Sequence, residues 1–266
     1  MGRLDGRVIL ITGSTGIAAA TVRRARAEGA TVFVVSRTTE HLEALAEPIG
    51  ADWAVADLTD EQQVDDVVAS CVARRGRIDG LFSVVGGSGR AFGDGPTHTL
   101  TADAWQQTAD LNLRTQVLTC ARVVRAMREQ APNSSGTRGS ILLMGSVTAT
   151  APVPELFATH AYAATKGALI ALMTTMAATY LPDRIRVNLV APSLTDTPMA
   201  SRAAGDPHIL EYAARKQPLA GAMLDPDEVA NAALYFLSDE SRAVTGQTLN
   251  VDGGWSLVST SAEPRP

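Results

Sequence analysis

Short apolar runs alternate with longer amphipathic stretches along this chain. Arg7–Thr12 is a β-branched run bounded by turn residues and reads as a buried strand. Gly13-Ser14-Thr15-Gly16 is a turn, and Ile17–Glu28, rich in alanine and arginine, reads as a helix ended by Gly29. Thr31–Ser36 is the second strand, residues 39–47 favour helix, and Asp52–Ala56 is a third short strand. Glu61–Arg75 is an amphipathic helix, Ile78–Val85 a fourth strand, and Gly86–Pro96 a glycine-rich loop. One long helix is expected over Thr101–Gln130, a polar turn over Pro132–Arg138 and a fifth strand over Ser140–Met144. Ala161–Leu181 reads as helix, Arg184–Val190 as the sixth strand, Asp227–Leu237 as helix and Thr248–Val251 as the seventh strand.

Strands that are apolar nearly throughout, alternating with helices, predict an α/β fold: a parallel sheet covered by helices on both faces. No linker divides the chain and no repeat of fixed period runs through it, so one domain is expected over 1–258. Residues 259–266 read as a loose tail.

With 266 residues, 45% of them hydrophobic, the chain is long enough to bury a full core. The net charge of −5 comes without any Lys/Arg block, which argues against nucleic acid and anionic membrane as partners. The apolar runs are too short to span a bilayer. Cys71 and Cys120 fall in different expected helices, and the four histidines lack ligand spacing, so neither a disulfide scaffold nor a metal site is implied. A strand begins within a few residues of Met1, leaving no room for a signal peptide; together with two cysteines this leads to an expectation of a reducing, cytoplasmic setting.

The chemistry concentrates at Tyr162-Ala-Ala-Thr-Lys166. Residues four apart share a helix face, so Lys166 can hold a positive charge near the Tyr162 hydroxyl. A free phenol titrates near pH 10, too high for acid–base work at neutrality, and a fixed ammonium favours the phenolate. Near the other end of the chain, Gly13, Ser14, Thr15, Gly16 and Ile17 join the first strand to the first helix. There glycines let the backbone approach a diphosphate, and the helix N-terminus presents free N–H groups to it. Ser36 and Arg37 end the second strand, where an acidic residue would select NAD by bonding its 2′-hydroxyl. An arginine there can bind a 2′-phosphate, which favours NADP, with NAD possible. Asp57, followed by Leu58, stands where a carboxylate could accept the adenine amino group; it could equally cap a turn.

In sum these residues resemble the short-chain dehydrogenase/reductases of standard single-domain length, over nearly the whole chain. The resemblance rests on the Thr12–Ile17 turn, Asp57, Leu111-Asn112-Leu113, Ser146, Tyr162-x-x-x-Lys166, Ile185–Pro192, Thr197-Pro-Met199 and Thr245–Trp255. It implies a Rossmann-like, doubly wound, seven-stranded sheet and hydride transfer between a nicotinamide and a carbonyl or secondary alcohol, as in a 3-oxoacyl or ketone reductase. Tyr162 would be the acid–base group, and Lys166 would lower its pKa and bond the nicotinamide ribose. Ser146 would bond the substrate oxygen, and Asn112 would hold a water linking Lys166 to solvent. Val85, Gly86, Pro192, Thr195 and Thr197 would line the nicotinamide end. A homotetramer or homodimer is the family's usual assembly.

Three departures from the family pattern stand out. The glycine turn is one residue short, with Ala18 in place of a third glycine. Ser83-Val84-Val85-Gly86 replaces the usual Asn-Asn-Ala-Gly. Thr148–His160 carries an insertion of about three residues, judged by the Ser146-to-Tyr162 spacing. The first two keep open an alternative, a non-catalytic NADP-binding or scaffold protein that retains the fold. The pocket walls are expected in the 86–98 loop, the 148–160 insertion and a mobile lid over 199–218.

Overall fold

Seven parallel strands form one sheet in the order β3-β2-β1-β4-β5-β6-β7. They are β1 (Val8–Thr12), β2 (Thr31–Ser36), β3 (Asp52–Val55), β4 (Gly80–Ser83), β5 (Gly139–Met144), β6 (Ile185–Pro192) and β7 (Thr248–Val251). This is the computed structural model of the chain, and it describes residues 2–259. Apart from Ser259, the expected tail lies outside the described residues. Long helices α1 (Gly16–Ala27), α2 (Thr39–Ala46) and α3 (Glu61–Arg75) alternate with the first strands. Helices α4 (Ala102–Ala109) and α5 (Thr115–Glu129) lead into β5. Next come α6 (Pro154–Phe157), α7 (His160–Tyr180), α8 (Ser201–Ala204), α9 (Pro207–Lys216) and α10 (Pro226–Leu237).

The alternation of side chains along each strand explains the two layers of core. Val8 and Leu10 face the side covered by α3, α5 and α7, where Val67, Val123 and Leu169 are buried. Ile9 and Ile11 face the opposite side, against Val22 of α1 and Val229 and Leu237 of α10. Because both faces are covered, the central strands are buried at every position and largely apolar, the signature that marked them in the sequence.

One expected helix is interrupted. Thr101–Gln130 folds as α4, a π-helical turn at Asp110–Arg114, and α5. Its cause is local. Asn112 Nδ2 donates to the Thr108 carbonyl at 2.9 Å, and Thr115 Oγ1 donates to the Leu111 carbonyl at 2.8 Å. Side chains thus draw on carbonyls that the regular helical ladder would use, and the turn widens.

The strand order reverses direction between β1 and β4, because the chain leaves β1 for β2 and β3 before returning to β4. In open α/β sheets such a switch point opens a crevice beyond the carboxyl ends of the strands. The cavity of this molecule lies there.

Candidate active site

A cavity of about 820 Å³ runs from the β1–α1 turn to the loops after β5 and β6. At its floor is the glycine turn. Gly13 and Gly16 adopt φ of 98° and 52°, the left-handed region that favours glycine. A Cβ on Gly16 would meet Thr197 Cγ2 at 2.8 Å, so the loop after β6 packs directly on this turn. Thr15 precedes α1 without a side-chain cap, which leaves the first N–H groups of that helix for an anion. Shortening the glycine turn has therefore not removed the phosphate cradle, and the residues present fit a dinucleotide.

At one end of the cavity stand Ser36, Arg37, Asp57 and Leu58. Ser14 Oγ donates to Ser36 Oγ at 2.9 Å. Asp57 Oδ1 accepts from the Thr59 amide at 2.9 Å and its hydroxyl at 2.8 Å, and these bonds hold the carboxyl below its ordinary range. Both readings of Asp57 are thus compatible: one oxygen caps the turn, while Oδ2 faces Arg37 Nη1 at 4.0 Å.

At the other end, Ser146 follows β5 through Gly145 and is 9% exposed. Its hydroxyl oxygen accepts from the Thr148 amide at 3.2 Å and the Thr148 hydroxyl at 2.9 Å. With its acceptor side occupied, Ser146 has its proton to donate towards Tyr162. Tyr162 and Lys166 project from the first turns of α7 into the same space. Burial raises the Tyr162 phenol above its ordinary value, and hydrogen bonding with Ser146 acts in the opposite direction.

Lys166 is 2% exposed, its Nζ 5.5 Å from the Tyr162 ring centroid and 2.8 Å from the Met144 carbonyl, to which it donates. Burial pushes its amine down to about 7. Both side chains reach the cavity, but acidification of the phenol is not the dominant effect. Desolvation sets the direction on both groups, opposed at Tyr162 by the Ser146 hydrogen bond.

Every residue expected at the cofactor and the reacting centre lines this cavity except Asn112, which is fully buried behind it. Asn112 Nδ2 donates to the carbonyls of Gly87 and Thr108, and its Oδ1 accepts the Gly87 amide at 3.0 Å. Both of its side-chain donors are thus used, and its own carbonyl accepts from Gln116 Nε2 at 3.3 Å. Asn112 also holds the loop after β4. A Cβ on Gly86 would meet Asn112 Oδ1 at 2.7 Å, which explains a glycine there whatever precedes it.

Several site residues were not signalled by sequence. Gln116, fully buried, donates to the Met144 carbonyl at 3.2 Å and accepts the Met144 amide at 3.2 Å, so it braces the carbonyl that Lys166 uses. Asp94 accepts the amides of Ala161 and Tyr162 at 3.0 and 2.9 Å, fastening the loop after β4 to the start of α7. His160 makes the same connection from the helix side, its Nδ1 accepting the Thr97 amide at 3.0 Å. The insertion forms α6, whose Phe157 packs against Trp255 with ring centroids 6.1 Å apart. Only a glutamine amid an apolar helix face could have hinted at any of these.

Sheet order, crevice and glycine turn define the molecule as a Rossmann-like, doubly wound α/β protein built around a nucleotide-type crevice. Comparison with known proteins makes the class specific. The family model described as enoyl-(acyl carrier protein) reductase matches residues 11–256. Short-chain dehydrogenase reductase 5 of Arabidopsis thaliana is 35% identical over 265 residues, covering 98% of each chain. The 3-oxoacyl-[acyl-carrier-protein] reductase FabG of Thermotoga maritima is 34% identical, covering 95% of this chain and 98% of that one. A short-chain dehydrogenase/reductase structure from Mycobacterium ulcerans superposes with a TM-score of 0.86 at 28% identity, covering 96% of this chain and 91% of that one. The chain belongs to the short-chain dehydrogenase/reductase family, whose members are oxidoreductases using nicotinamide cofactors.

Proposed function

We propose that this protein is an NADP(H)-dependent oxidoreductase acting on a carbonyl or secondary alcohol, with Tyr162 as its acid–base group. When bound, the nicotinamide supplies or accepts the hydride. The chain's own residues hold the partners and manage one proton. Ser146 donates its proton to the substrate oxygen and steadies the negative charge that grows there. Tyr162 Oη gives a proton to that oxygen in reduction and takes it back in oxidation. Lys166 places its amine beside the phenol and the ribose, and Asn112 and Gln116 hold the peptides around it. Gly13, Ser14, Thr15, Gly16 and Ile17 cradle the diphosphate. Arg37 and Ser36 take the 2′-phosphate, Asp57 and Leu58 the adenine, and Val85, Gly86, Pro192, Thr195 and Thr197 the nicotinamide end.

The observation that carries this reading is the convergence of Ser146, Tyr162 and Lys166 in the cavity that also holds the glycine turn. Initial rates on a ketone and alcohol panel with NADPH and NADH test it. Tyr162→Phe is expected to lower turnover by roughly a hundredfold or more. Unchanged turnover would remove Tyr162 from the chemistry, and a clear preference for NADH would overturn the cofactor assignment. Cofactor binding with no turnover in the wild type would support the scaffold alternative. The name of the Thermotoga relative makes a 3-oxoacyl carbonyl one candidate substrate. We extend the reading to a cytoplasmic homotetramer or homodimer. Two free cysteines agree with a reducing compartment, and exposed Trp105 and Val117 on α4 and α5 support assembly.

A further inference from the structure

Three loops that the sequence marks as pocket walls meet at one atom. Arg90, from the loop after β4, donates its Nη2 to the Leu156 carbonyl at 3.3 Å. Arg202, from α8 in the expected lid, donates its Nη2 to the same carbonyl at 3.2 Å. Leu156 itself belongs to α6, inside the insertion. Both guanidinium groups line the cavity that holds Ser146 and Tyr162.

Two like charges therefore share a single neutral oxygen. Among the described residues neither arginine has a carboxylate within 4 Å, although twelve other arginines pair with Asp or Glu. Burial and the Arg202 charge pull the Arg90 guanidinium below its ordinary value, with Asp94 opposing. Asp94 cannot turn to neutralise Arg90 without giving up the two amides at the start of α7. A carbonyl offsets little of this repulsion, whereas a carboxylate or phosphate would accept charge-assisted bonds from both forks. Beside the pair lies an aromatic wall: Arg202 sits 6.0 Å from the Phe157 ring centroid, and Phe157 and Tyr212 both pack on Trp255.

We propose that Arg90 and Arg202 form the specificity site for an anionic tail, so that the substrate is a carbonyl or hydroxy compound with an apolar body and a terminal carboxylate or phosphate. This rests on the reading of the cavity as an oxidoreductase site and adds the class of substrate to it. The reacting carbon would lie at Ser146 and Tyr162, the body against Phe157 and Trp255, and the anion between the two guanidinium groups.

Binding separates this proposal from the reading beneath it. Titration calorimetry would use aryl and alkyl keto acids, each paired with its methyl ester, and a keto phosphate monoester paired with its parent alcohol, with and without NADPH. The wild type is expected to bind the anion at least tenfold more tightly than its neutral partner in one series, and the series that shows it identifies carboxylate or phosphate. Arg90→Gln/Arg202→Gln should collapse that ratio to near one, and Arg90→Lys/Arg202→Lys should restore part of it. Thermal melts would check that each variant is folded, and either single Arg→Gln variant serves if the double one is not. No anion preference in any pair, or a preference that survives in the double Gln variant, overturns the proposal. So does a loss of NADPH affinity with the preference intact, which would assign the arginines to the dinucleotide. Turnover of the bound pairs is read separately: anion preference without turnover leaves this site standing and counts against the oxidoreductase reading alone.

Discussion

Lys166 is a cation that the fold keeps almost wholly out of water. A buried amine loses hydration that one bond to the Met144 carbonyl does not replace, so its proton is held weakly. In the unfolded chain that amine titrates near 10.5, and in the fold at about 7. Between those values the unfolded chain binds the extra proton, so this group makes stability rise with pH from about 7 to about 10.5. Below that window both states carry the proton and the burial penalty is complete. Lys166→Met removes the penalty while filling the same space. Its stability advantage over the wild type should be greatest at or below neutral pH and shrink as pH rises towards 10. Urea titrations of both proteins at about pH 6.5 and 9.5 measure the difference; an advantage that does not change with pH contradicts the assignment. Tyr162 and the thiols are common to both proteins, so their titration cancels to first order in the comparison.

Helix α7 presents Tyr162 and Lys166, and its beginning is held from outside. Thr159 stands at its N-cap without making a side-chain cap bond, and Asp94 takes over, accepting two amides from 67 and 68 residues away in sequence. A carboxylate there satisfies orphan N–H groups and favours the positive end of the helix dipole. Asp94→Ala should cost about 2 kcal/mol, the range of a lost cap with buried charge-assisted bonds, and should lower turnover because Tyr162 sits on the freed turn. Asp94→Asn, which keeps an acceptor oxygen, should lose less of both. Denaturant melts and initial rates on the two variants check this; wild-type stability in Asp94→Ala would show that the cap contributes nothing. The π-helical turn after α4 follows the same rule, since Asn112 shapes it through contacts made largely with the loop after β4. A helical pattern over 101–130 was readable, but its interruption was not, because the partner Gly87 lies 25 residues away.

At the scale of the whole molecule, one helix layer seals both cysteines in the core between the sheet and α3, α5 and α7. Burial pushes each thiol up to about 12, so neither forms thiolate near neutral pH. A disulfide-exchange reagent at pH 8 should label no thiol in the native protein and two per chain in denaturant; rapid labelling under native conditions would mean the core opens readily. Much of this architecture was legible in residue order. Continuous apolar runs gave seven strands within a few residues of their observed bounds, and Gly13, Gly16, Ser146, Tyr162 and Lys166 were identifiable at fixed positions from strand ends and helix starts. Those features depend on local backbone chemistry and on period, which a linear string carries. What only the tertiary structure decided depends on desolvation and on distant partners. It set Asn112 against the backbone of Gly87, let burial govern Tyr162 and Lys166, and brought Arg90 and Arg202 to one carbonyl on a third loop. Sequence spacing states which side chains share a helix face, but dielectric surroundings and meetings across loops exist only once the chain has closed on itself.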